Sequence, residues 1–166
     1  MKKDFGEFSD DCLIYRKAHV NQFKANSEPS ANMFGPDMSG WSVDWNKFTT
    51  PEECLIRSGL TYKFNKNEFR NQNDYRIFEL NVGQVKKIEE ITRLEHTPTN
   101  RTPEKIGQPN NPSHSSLYYM DVEVRMELLG IIKEILKVDR DAVDAAIGEA
   151  KKGIQEPSTL PVSDSA

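Results

Sequence analysis

The sharpest alternation of apolar and polar positions is W-S-V-D-W at 41–45. A strand there puts Trp41, Val43 and Trp45 on one face and Ser42 and Asp44 on the other. Residues 12–18 alternate in the same way, with Leu13, Tyr15 and Lys17 on one face and Ile14 and Arg16 on the other. Y-R-I-F-E-L-N-V at 75–82 and the segment 115–120 read as further strands, and 60–64 as a shorter strand-like piece. The period then changes. Thr50 as N-cap, Pro51 at the first helical position and Glu53 completing a capping box predict a helix to about Ser58, ended by Gly59.

Val122, Met126, Leu129, Ile132 and Leu136 recur at helical spacing, and Leu128, Ile131 and Ile135 widen the stripe. This pattern predicts a long core helix over 122–137 with Asp121 as its cap. A second helix is expected over 141–152, capped by Asp139 or Asp141. Its weaker face (Ala142, Val143, Ala146, Ile147, Ala150) suits the surface or a protein partner, so residues 122–152 are the candidate partner surface. Val85, Ile88, Ile91 and Leu94 predict a short helix, with a strand from Ile91 as the alternative.

Between these elements, 21–40 reads as a loop in which Phe23, Met33 and Phe34 plug into the core. Residues 65–74 read as a polar loop. The segment 95–114, with four prolines, reads as a long loop of the functional or disordered kind. Residues 1–11 are expected to fray and 153–166 to be a disordered tail. The expectation is one α+β domain over 12–137, followed by a helical extension over 138–152. Its small mixed or antiparallel sheet carries one short and one long covering helix.

Composition narrows the function classes. A length of 166 residues suits one domain, and the mean hydropathy of -0.70 lies on the polar side. A net charge of -4 argues against a general electrostatic grip on nucleic acid. The middle of the chain is more basic, however. Lys63, Lys66, Arg70, Arg76, Lys86, Lys87, Arg93, Arg101 and Lys105 interleave with Tyr62, Phe64, Phe69 and Tyr75. That mixture suits a single-stranded backbone, although Glu89, Glu90 and Glu95 favour a solvated charged face. No apolar run approaches the roughly 20 residues of a membrane span, and the two N-terminal lysines lack the apolar segment of a signal peptide. Cys12 and Cys54 lack metal-ligand spacing and read as buried small hydrophobes in a reduced, cytoplasmic setting. His19, His96 and His114 are scattered singly, so neither a metal nor another cofactor is expected.

The residues able to carry chemistry are Arg16, His19, Ser30, Ser42, Asp44 and His114. Arg offers a fixed fork of donors to phosphate or carboxylate, His titrates near neutrality, and Asp can orient a His or accept a proton. A Ser donates to phosphate or acts as a weak nucleophile. Against this stands a structural reading in which Arg16 pairs with Asp44 across neighbouring strands while His19 and His114 are loop hydrogen-bonders.

The series Tyr15-Arg16 with His19, Pro29-Ser30 with Phe34, Ser42–Trp45, Thr49–Glu53, Leu80–Lys86 and Asn111–Ser115 resembles a family of small uncharacterised bacterial proteins over roughly residues 12–120. A weaker likeness, through the early Tyr15-Arg16 pair, is to NAD-using ADP-ribosyltransferase toxins of the RES type. The chain departs from these in lacking their later catalytic Glu in its usual setting. The first functional expectation is recognition of an anionic, nucleotide-like small molecule through the six site residues. The alternatives are a non-catalytic interaction or accessory protein working through its C-terminal helices, and an ADP-ribosyl- or phosphoryl-transfer enzyme.

Overall fold

A computed structural model describes residues 2–34, 40–100, 109–119 and 121–154. In chain order the strands are β1 (Leu13–His19), β2 (Trp41–Trp45), β3 (Tyr62–Lys63), β4 (Glu68–Phe69), β5 (Tyr75–Asn81), β6 (Ile91–His96), β7 (His114–Tyr119) and β8 (Lys133–Glu134). The helices are α1 (Pro51–Gly59), α2 (Val82–Lys86), α3 (Val124–Ile131) and α4 (Arg140–Lys151). Six strands form one antiparallel sheet in the order β6-β7-β2-β1-β5-β8, and β3 and β4 form a separate small hairpin. This is the expected α+β architecture.

Alternation along the central strands builds a core on each face of the sheet. Ile14, Trp41, Val43, Trp45, Phe78, Leu80 and Leu117 face one side, where Phe34, Val85 and Leu128 join them. Tyr15 and Ile77 face the other and pack under Cys54 and Leu55 of α1 and Val143 and Ile147 of α4. The first core is the larger of the two. The second covers only the half of its face near Tyr15 and Ile77. The remaining half carries Lys17, Ser42, Ser116 and His114, all of them partly or fully exposed.

Several expectations need correction. Residues 2–11 are docked rather than frayed: Phe5 and Phe8 are buried, Lys3 Nζ donates to the carbonyls of Lys86 (2.8 Å) and Ile88, and Asp4 bridges to Arg93 of β6. The predicted 122–137 helix ends at Ile131. Gly130 and the β-branched Ile131 and Ile132 weaken it there, and the open edge of β5 offers unpaired backbone groups that an extended chain can satisfy. Ile132 turns extended, β8 pairs with Phe78 and Glu79, and Ile135 N donates to Ile77 O (2.9 Å).

The longest helix is therefore α4. Its Val143 and Ile147 face is consumed inside the chain, against α1. Residues 138–152 thus belong to the same folded body. The 60–74 segment contains the β3–β4 hairpin and a 3-10 turn at Gln72–Asp74 rather than one strand and a loop. Over 82–96 the chain forms α2 and then β6, so the strand alternative from Ile91 is the one adopted. The expectations for 101–108 and for 155–166 lie outside the described residues.

Candidate functional site, a basic cleft on the open half of the sheet

The β1–β2 ladder consists of Ile14↔Trp45 and Tyr15↔Asp44, and the strands diverge beyond it. Arg16 bridges the widening gap. Its Nη1 donates to Ser42 O (2.8 Å), its Nε donates to Met33 O (2.9 Å), and its guanidinium lies over the Trp41 ring (4.9 Å). A cleft of about 760 Å³ opens here, within the size range of small-molecule sites. Lys17, Ser42 and His114 come to it from the sheet, and Arg57, Ser58 and Thr61 from the end of α1. Lys63, Lys66 and Arg70 come from the β3–β4 hairpin, His19 and Asp74 from two 3-10 turns, and Thr99 and Asn111 from the segment before β7.

The lining is strongly cationic. Among the described residues Arg16, Lys17, Arg57, Lys63, Lys66 and Arg70 face a single carboxylate, Asp74. Lys63 is partly neutralised by Glu68 (3.2 Å), and Asp74 Oδ2 lies 3.8 Å from His19 Nε2. Among the described residues Lys17 Nζ has neither a hydrogen bond nor an ion pair. Burial lowers the Lys17 pKa, with Asp44 opposing the shift and Arg57 and Arg16 adding to it. Burial likewise brings Arg16 down to about 10, still charged at neutral pH.

Asp44 lies beneath this cationic surface and is nearly sealed. Asn111 Nδ2 donates to its Oδ1 (2.6 Å), Ser113 Oγ is 3.1 Å from the same oxygen, and Arg57 Nη2 stands 3.7 Å away. Arg57 Nη2 is also tied to Thr49 Oγ1 (2.9 Å) and Ser113 Oγ (3.1 Å). Burial, the largest influence, would raise the Asp44 pKa. The Lys17 and Arg57 charges and the bonds from Asn111 and Ser113 outweigh it and leave the pKa lowered.

On the floor, Ser42 Oγ lies 3.1 Å from His114 Nε2, and His114 Nδ1 lies 2.8 Å from Thr97 O. The register pairs Ser42 with Ser116 and Asp44 with His114, so all four side chains share one face of the β2–β7 ladder.

Of the six predicted site residues, Arg16, His19, Ser42 and His114 line the cleft. Asp44 sits below it as a buried support, and its cationic partner is Arg57 rather than Arg16. Ser30 lies outside the lining. It is buried, donates to Gln22 O (2.6 Å) and caps the turn that presents Met33 O to Arg16. His19 caps its own turn through Nδ1, which accepts from Asn21 N (3.1 Å).

Sequence reading missed Lys17, Arg57 and Thr97 as site residues, while Asn111 and Ser113 lie in the 110–116 stretch that it set beside the site without naming either residue for it. Strand alternation had already put Lys17 on the face of Tyr15, opposite Ile14. That placement, next to an Asp at position 44 of a neighbouring strand, was the available signal. Lys63, Lys66 and Arg70 were noticed as a basic stretch but not joined to the site. Cys54 is buried, and burial pushes its thiol up to about 12, the state of an inert core residue. Among the described residues no group of three or more His, Cys, Asp or Glu is placed to hold a metal ion, and no helix is long and apolar enough to cross a membrane. Comparison with family models, with curated proteins and with solved structures yields no match to this chain.

Proposed function

We propose that the cleft binds a small phosphate-bearing, nucleotide-like anion. The observation that carries this reading is the charge of the lining: among the described residues, six Lys and Arg side chains against one carboxylate, in a chain whose net charge is -4. Concentrating like charge in a concave site costs stability, and an anion recovers that cost on binding. The donors also suit phosphate. Arg16 Nη2 and Arg57 Nη1 have no protein acceptor among the described residues, and Lys17 Nζ is equally unspent. Fixed guanidinium donors beside an ammonium match a group with several anionic oxygens.

The test is thermal unfolding with inorganic phosphate, then with nucleoside mono- and triphosphates, at constant ionic strength. A site ligand at about 100 times its Kd stabilises the fold by about 2.7 kcal/mol. The expected result is a saturable rise in Tm that Lys17→Met removes. No rise with any of these anions, or a rise that Lys17→Met leaves intact, rejects the reading.

A further inference from the structure

From the floor of the cleft we infer that Ser42 and His114 are a nucleophile and its base, transferring the phosphoryl group of a bound phosphate monoester to water. The inference rests on the anion-binding reading above and adds a reaction to it.

The hydrogen-bond pattern sets the direction of the pair. His114 Nδ1 lies 2.8 Å from Thr97 O, and a carbonyl oxygen can only accept. Nδ1 therefore carries the proton, and in the neutral imidazole Nε2 holds a lone pair. Ser42 Oγ, 3.1 Å away, donates to it. Thr97 Oγ1 also lies 2.9 Å from Nδ1, where it can accept a share of the same proton, and 3.0 Å from Ser116 Oγ, so one residue orients the ring. A hydroxyl on a base whose other nitrogen is anchored is the arrangement of an activated serine, here with a backbone carbonyl as the orienting group. Ser42 is exposed on the cleft side of β2, so its hydroxyl is within reach of a ligand. A hydrogen bond that merely held two strands together would have no need of that access.

The surroundings supply the rest. Arg16 Nη1 fixes the Ser42 carbonyl (2.8 Å), and the unspent donors of Arg16, Lys17 and Arg57 line the same cleft. Charge on the non-bridging phosphoryl oxygens is stabilised by such fixed donors, which is most of what catalysis of this transfer requires. In the first step Ser42 Oγ bonds to phosphorus as the ester P–O bond breaks. The Ser42 proton passes to His114 Nε2 and on to the departing alcohol oxygen. In the second step water attacks phosphorus, the Ser42 Oγ–P bond breaks, and His114 returns the water's proton to Ser42 Oγ. The products are the alcohol and inorganic phosphate, and no redox partner is required.

The full chain is tested with p-nitrophenyl phosphate. Wild type is expected to release p-nitrophenol, and Ser42→Ala, a mild change at an exposed position, to lose about 100-fold or more of that rate. His114→Gln is expected to lose a similar factor. Acid quenching during turnover should leave one phosphoryl group on the peptide containing Ser42. Phosphate-induced stabilisation, measured in parallel, should survive in Ser42→Ala. Wild-type turnover no faster than that of Ser42→Ala, or a phosphoryl group on another residue, overturns the inference. If phosphate still raises the Tm of wild type in that case, anion binding stands and the transfer alone fails. If it does not, both readings fail.

Discussion

Arg57 Nη2 stands 3.7 Å from Asp44 Oδ1 beneath the cleft floor, and both side chains are almost completely buried. The pair joins the end of α1 to β2 and, through Asn111 and Ser113, to the start of β7. It supports the floor from below, and among the described residues Asp74 is the one carboxylate that lines the cleft with the cations above.

Arg57→Met should therefore destabilise the fold by about 3 kcal/mol, because it strands a buried carboxylate. Urea unfolding at neutral pH measures this. The pH dependence follows from the lowered Asp44 pKa. A carboxyl whose folded pKa lies below its unfolded value near 3.9 contributes its full stabilisation above that value and loses it as pH falls through the folded pKa. Asp44→Asn should thus be less stable than wild type at pH 7 and show a flatter acid limb below about pH 4. An unchanged acid limb would refute this role for Asp44.

Lys17 should behave in the opposite way. Its pKa is lowered by burial, so in the folded state the ammonium is disfavoured. As pH rises through the folded pKa toward the unfolded value near 10.4, the unfolded chain holds more protons and this residue's contribution to stability increases. Below that window the cost of the buried charge is fully present. Lys17→Met should remove this alkaline rise, while its effect at pH 7 stays within about 1 kcal/mol, because relief of the buried charge is offset by loss of its support for Asp44. An alkaline rise as steep as that of wild type, followed by urea midpoints, would contradict it.

The α1–α4 contact has no room for a side chain at Gly59. A Cβ there would collide with Ile147 Cδ1 and come within 2.9 Å of Gln72 Oε1. Gly59→Ala should cost about 1–3 kcal/mol, even though Ala is the better helix former. Ile147→Val in the same chain should recover part of that loss, a coupling that a double-mutant cycle in urea measures.

The sheet edge at β8 is held by Arg76. Its Nε and Nη2 each donate to Glu134 (2.6 Å), its Nη1 donates to Ser27 O (2.7 Å), and its guanidinium covers Phe23 (4.2 Å). Glu134→Gln breaks a two-pronged, three-quarters-buried pair and should cost about 1 kcal/mol. Hydrogen exchange gives the local readout: the Ile135 amide, bonded to Ile77 O, should lose protection before the amides of β1.

Much of the fold was legible along the chain. The alternation at 41–45 is β2 with both bounds, and β1, β5 and β7 fall within a residue or two of their predicted ranges. Thr50, Pro51 and Glu53 form the capping box expected of them, with Glu53 N donating to Thr50 Oγ1 (3.3 Å) and Thr50 N to Glu53 Oε2 (3.1 Å). These are local properties: a strand's period and a helix's orphan amides are satisfied within a few residues. The failures came where a distant partner competed with a local preference. Ile132 and Ile135 continue the helical spacing, yet the edge of β5 draws the chain from Ile132 to Ile135 into β8 and its flanks. Phe5 and Phe8 lie in a polar stretch, yet their rings are buried in the core.

For the site, the sequence alone determined the residue types and the strand faces that carry them. It put Arg16 on the side of Ile14, and Ser42 with Asp44 away from the tryptophans. Tertiary structure alone decided which charge meets which. Asp44 went to Arg57, 13 positions along the chain on α1, and His114 was anchored by Thr97. Among the described residues Lys17 was left without a hydrogen bond or ion pair, in the same cleft as the hairpin cations. The physical reason is that side-chain direction follows from backbone period, which is local. Charge pairing and solvent access depend instead on how strands diverge and helices cover them, which the free energy of the whole fold selects.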